Sequence, residues 1–123
     1  MKFLLFMFLI FSSSEVLAKK IVLDCIGSPT LLLQKNEWDN STDGEKGKVI
    51  IDTSKKTIEF NSMLFNEGFT QESKIISART EETSGMWWHI GVEQNGTMGQ
   101  TWWLEKTPLM ITTYDCKKNT SLW

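Results

Sequence analysis

What this chain has little of bounds it first. His89 is its only histidine, and there are two cysteines, two prolines and one tyrosine in 123 residues. A zinc site needs about three or four nitrogen or sulfur ligands. One imidazole and two distant cysteines cannot supply them, and no metal or other cofactor is implied. Charge of one sign is also missing: 13 basic side chains stand against 15 acidic ones. That balance suits neither a nucleic acid nor an acidic membrane surface as partner. Long apolar runs are absent except at the amino end. There residues 3–11 fall well short of the roughly 20 needed to span a bilayer.

The amino-terminal run does fit a secretory signal. Lys2 precedes it, Ser12, Ser13, Ser14 and Glu15 end it, and Val16 and Ala18 stand at the positions small residues occupy before a cut. Residues 1–18 are therefore expected to be removed, leaving 19–123 as a single β domain, periplasmic or secreted, with no transmembrane segment. Because the next cysteine after the cut is Cys25, a lipid-modified amino terminus is not expected. In an oxidising compartment Cys25 and Cys116 have one possible intramolecular pairing, and a structural disulfide is expected. Closing a loop of roughly 90 residues stabilises a fold by about 4–5 kcal/mol in the chain-entropy model.

Helix signals barely occur, whereas short apolar runs bounded by turn residues recur. Residues 21–26 and 30–34 flank Gly27-Ser28-Pro29, and a polar stretch follows as the longest loop. Residues 48–53 and 57–62 form a hairpin around "TSKK". Pairing Asp52 with Thr57 sorts Val49, Ile51, Ile58 and Phe60 onto one side. Residues 63–72 show no dominant period, and Gly68 argues against a helix there. Further strands are expected at 74–79, 86–93, 98–105 and 109–116. This pattern predicts an all-β fold: a small antiparallel up-and-down, flattened β-barrel or sandwich of about seven or eight strands, closed by one disulfide. A closed meander makes neighbours of its first and last strands, where the cysteines lie.

The most informative stretch is "GMWWHIGVEQNGTMGQTWWLEKTP". Asn95-Gly96 is the strongest short hairpin signal, a type I′ turn in which both central residues take positive φ. That turn pairs Trp88 with Trp103 and Ile90 with Thr101. One face then holds Met86, Trp88, Ile90, Val92, Thr101, Trp103 and Glu105, a core-like set. The other holds Trp87, His89, Gly91, Gln100, Trp102 and Leu104, an amphipathic set suited to stacking on a flat ligand. Trp87, His89, Gln100 and Trp102 are the candidate binding residues, with Trp38, alone among charged residues, beside them. A membrane-surface role fits poorly, because Lys106 is the one basic residue nearby.

Other motifs carry less. "DNSTDGE" places Asp39, Ser41 and Asp43 like the first half of a calcium loop, but Ile50 stands where the closing Glu belongs. Glu81 and Glu82 fall in a turn, where solvated charge is ordinary. The Asn-x-Ser/Thr sites at Asn40, Asn95 and Asn119 are read as chance. No nucleophile elbow accompanies His89, so no catalytic residue is assigned.

In layout the chain resembles the periplasmic inhibitors of C-type lysozyme, through "QTWWLEKTPLMITTYDC" at residues 100–116. Those are compact β-barrels with a cysteine near each end and a Trp-containing strand late in the chain. Their Ser-Gly-rich inhibitory loop before that strand has no counterpart here. The expected function is an exported binding module for a small planar ligand, a glycan or a protein partner. The alternatives are a structural or envelope-associated protein with no small-molecule ligand, and a periplasmic inhibitor of a hydrolase such as lysozyme.

Overall fold

The computed structural model describes residues 20–118; the expected signal segment and the Asn119 site lie outside them. Ten strands occur among the described residues: β1 Lys20–Leu32, β2 Glu37–Asp39, β3 Lys46–Asp52, β4 Thr57–Phe60, β5 Met63–Phe65, β6 Glu67–Gln71, β7 Ile75–Arg79, β8 Met86–Glu93, β9 Thr97–Leu104 and β10 Thr107–Lys118. A 3₁₀ turn, Asn40–Thr42, follows β2. Nine strands run in the order β5-β4-β3-β1-β10-β9-β8-β7-β6 and form a nearly closed antiparallel barrel, with β2 added alongside β1.

Closure takes the form the cysteines suggested. β1 pairs with β10 in a register that sets Cys25 directly opposite Cys116, with Cα atoms 4.0 Å apart, and the two are disulfide-bonded. The remaining seam lies in mid-chain. β5 pairs with β4 through Phe65↔Ile58, and β6 pairs with β7 through Glu67↔Arg79. Only Asn66 separates them, so residues 63–71 act as one bent strand that leaves one neighbour for another.

Alternation along the strands builds the core. Ile21, Leu23, Val49, Ile51, Ile58, Phe60, Phe65, Ile76, Ala78, Ile90, Val92 and Met98 are buried together with Tyr114 and both cysteines. The hairpin of β3 and β4 has the expected register, including Asp52↔Thr57 and Val49↔Phe60. Its loop is held by the Asp52 carboxylate, which accepts hydrogen bonds from the Ser54 and Lys55 amides and from the Ser54 hydroxyl. These bonds lower the carboxyl pKa below the usual aspartate value.

Two expectations change. Gly27-Ser28-Pro29 does not separate two strands; it is a bulge inside β1, where the register with β10 shifts. A bulge is one of the few sheet positions that tolerates a proline, since no ladder donor is demanded there. The polar stretch after β1 is not a free loop either. Its 3₁₀ turn folds back onto the bulge, with the Gly27 amide donating to the Glu45 carbonyl at 2.7 Å and the Gly44 amide to the Gly27 carbonyl at 2.9 Å. A Cβ at Gly27 would collide with the Thr42 carbonyl oxygen. Glycine is therefore required by this close approach.

Candidate functional site in the barrel mouth

The turn joining β8 and β9 decides which tryptophans meet. It is not type I′. The Gly96 amide donates to the Glu93 carbonyl at 3.0 Å, placing Gln94 and Asn95 at the centre. Gly96 alone takes positive φ, +101°, while Asn95 does not. This is a three-residue loop with a glycine bulge, supported by the Thr97 amide donating to Asn95 Oδ1 at 2.9 Å. A Cβ at Gly96 would stand 2.5 Å from the Cys116 carbonyl oxygen, which fixes the glycine twice over.

Moving the loop by one residue moves the register by one. Trp88 pairs with Trp102, Trp87 with Trp103, His89 with Thr101 and Ile90 with Gln100. Because a slip of one flips every side chain of one strand, the expected faces do not exist as sets. The candidates divide: Gln100 and Trp102 point into the barrel with Trp88, while Trp87 and His89 point outward with Trp103. Trp103, expected in the core opposite Trp88, belongs to the outer face.

On that outer face Trp87 and Trp103 stack with centroids 5.0 Å apart and planes 1° from parallel. The Trp87 indole donates to the Glu105 carbonyl at 3.0 Å, and the Arg79 guanidinium lies 5.6 Å from its ring centroid. One register row across six strands sets Arg79, His89, Thr101, Ile111, Leu31 and Trp38 side by side on this surface. Trp38, at 65% exposure, is at the far end of that row from His89.

His89 is half-buried, and burial lowers its imidazole pKa below the ordinary value. A depressed folded-state pKa means the unfolded chain binds the extra proton more readily. The His89 contribution is therefore intact above the ordinary imidazole range and is lost as pH falls through it. Denaturation midpoints measured between about pH 7 and pH 5 should fall more for wild type than for His89→Gln. Equal slopes would show that the imidazole titrates as it does in the unfolded chain.

Inside the barrel the side chains form layers. At the mouth Met110, Trp102 and Trp88 stand in one row, the indoles stacked at 5.8 Å with planes 19° apart. The next row inward is polar: Thr30, Thr112 and Gln100, ending on Ile90. Below it lie Tyr114, Met98 and Val92, and then the disulfide. The Thr30 and Thr112 hydroxyls are 2.6 Å apart, Thr30 and Thr42 hydroxyls 2.8 Å, and Thr42 donates to the Ser28 carbonyl at 2.7 Å. Gln100 differs from these threonines. It is only 7% exposed, yet its amide reaches open space: among the described residues the buried side-chain polar atom without a partner is Trp103 Nε1, on the outer face.

Two cavities open at this end. The deeper, about 270 Å³, is lined by Gln100, Thr30, Thr112, Phe60 and Tyr114, with Asp39 and Glu45 at its margin. The outer, about 610 Å³, is lined by Trp88, Trp102, Met86, Thr80, Ser84 and Glu81. Met63, Trp88 and Met110 belong to both walls. The outer cavity has the size of a small-molecule site and a mainly apolar wall, and the deeper one is lined mostly by polar side chains. Tyr114 keeps its proton, because burial and the nearby Glu45 charge both raise its pKa. Among the described residues no three His, Cys, Asp or Glu side chains gather as metal ligands, and no helix is long and apolar enough to cross a membrane. Comparison with protein-family models, with curated proteins and with solved structures finds no match.

Sequence reasoning missed Met63, Trp88, Met110, Thr30, Thr112 and Tyr114 as lining residues. One signal for three of them was present. Cys116 must face Cys25 inside the barrel, and counting back by twos along β10 points Tyr114, Thr112 and Met110 inward.

Proposed function

We propose that this protein is an exported, periplasmic or secreted, non-enzymatic binding module whose site is the mouth of the barrel. Its ligand is small and amphipathic, with a flat apolar part lying against Trp88, Trp102, Met63 and Met110 and a polar end directed at Gln100. The observation that carries this is the deeper cavity, where the nearly buried Gln100 amide lies among the lining residues and Met63, Trp88 and Met110 continue the wall into the outer cavity. The Gln100 amide reaches this open cavity, where a ligand's polar group would take the place of water as its hydrogen-bond partner. An enzymatic role is not favoured, since His89 points away from the cavity. The disulfide is compatible with an extracytoplasmic location.

Indole N–H resonances test the proposal, because each tryptophan reports separately. Adding benzyl alcohol, a minimal neutral aromatic probe, should shift Trp88 and Trp102 and leave Trp87 and Trp103 in place. Trp102→Ala should abolish the response of Trp88. Movement of Trp87 and Trp103 instead would transfer the site to the outer face. No movement of any indole would favour the structural role.

A further inference from the structure

The charges around the mouth narrow the ligand class further, an inference that rests on the binding role just proposed. Asp39 and Glu45 border the deeper cavity and Glu81 the outer one, whereas no lysine or arginine lines either. Lys35 and Lys106, on turns at the same end of the barrel, are outside both linings. Among the described residues none of the three carboxylates is in an ion pair. Asp39 is held ionised by the Ser41 amide, which donates to Oδ1 at 2.9 Å.

Solvated acidic residues on a loop are ordinary by themselves. Here Asp39 and Glu45 border a cavity walled by Phe60, Tyr114 and Trp88, into which the nearly buried Gln100 faces, and Glu81 borders the adjoining one walled by Trp88 and Trp102. Phe60 and Tyr114 meet edge to face, centroids 4.9 Å apart. Aromatic walls attract cations through their negative ring faces, most strongly where water is partly excluded. A carboxylate or phosphate ligand would meet the opposite: three negative side chains and no cation to compensate. We propose that the barrel mouth binds an organic cation, an ammonium carried on a flat apolar body, with the charge toward Asp39 and Glu45 and the body between Trp88, Trp102 and the methionines.

A matched set of probes separates this inference from the reading beneath it. Benzyltrimethylammonium, benzyl alcohol and phenylacetate share a benzyl group and differ in charge. They are titrated into the oxidised, exported protein while the Trp88 and Trp102 indole resonances are followed. The expected result is that the cation binds at least about tenfold more tightly than the alcohol, and that phenylacetate produces no shift. Raising salt from about 0.02 to about 0.5 M should weaken the cation alone. The double variant Asp39→Asn, Glu45→Gln should erase the cation's advantage over benzyl alcohol. Asn keeps the oxygen that accepts from Ser41, and both positions are exposed, so the fold is retained.

Equal affinities for cation and alcohol, or tighter binding of phenylacetate, would overturn the cation assignment while leaving the mouth a binding site. Failure of all three probes would overturn both.

Discussion

Replacing both half-cystines, Cys25→Ala with Cys116→Ala, is expected to lower the free energy of unfolding by about 4 kcal/mol or more. The bond joins residues 91 apart in sequence, nearly the whole described chain, so its removal frees a very large loop in the unfolded state. Both cysteines are also buried, and truncating them removes packed sulfur from the barrel floor. A domain of this size has a total stability of only about 5–15 kcal/mol, so the reduced protein should be marginal. The measurement is the urea midpoint of the oxidised protein against the double variant. The disulfide also clamps β1 to β10, the strands that bring Thr30, Thr112 and Met110 to the mouth. Reduction should therefore broaden the Trp102 indole resonance before global unfolding. A loss of less than about 1 kcal/mol would mean that the β1–β10 ladder closes the barrel without help.

How much of this was legible follows from where the chain states its geometry locally. The β3–β4 hairpin was readable because its four apolar residues sort onto one face in one register only. Closure was readable because the cysteines tie the chain's ends. The tryptophan hairpin was harder: Asn95-Gly96 fits both a type I′ turn and the second half of a three-residue loop, and the two differ by one residue. What decides between them is tertiary. Gly96 accepts the Cys116 amide at 2.8 Å, a bond from β10 that no local pattern discloses. The type I′ geometry occurs instead at Asn61-Ser62, both with positive φ (47° and 72°), between Phe60 and Met63. Without a glycine that turn gave no signal, and the strand after it went unassigned.

The candidate site shows the same limit. Gln100 and Trp102 were correctly grouped, because they share a strand and its alternation. Their grouping with Trp87 and His89 depended on the register and failed with it. Thr30 joins the site through a bulge that re-aims the second half of β1, and Phe60 through a hairpin distant in sequence. Neither placement follows from spacing along one strand.

The seam offers the second large effect. Phe65→Ala is expected to destabilise the protein by about 3–5 kcal/mol. Phe65 is fully buried and occupies the last position of β5, immediately before the chain bends at Asn66 to join β7 through β6. β5 is paired on one side only, with β4, and no ladder on its other side compensates for a lost side chain. The ring faces Ile58 across the β4–β5 pair, and its removal leaves a void where closure depends on packing alone. Leu64→Ala is the matched control. Leu64 is the adjacent residue on the same strand, 50% exposed and directed outward, and its loss should cost no more than about 0.5 kcal/mol. Amide exchange would then locate the damage: faster exchange in β4 and β7, with β1 and β10 still protected by the disulfide, would show that the seam opens first. Uniform acceleration would instead make the barrel a single cooperative unit, with the break between β5 and β6 no weaker than any other pair of strands.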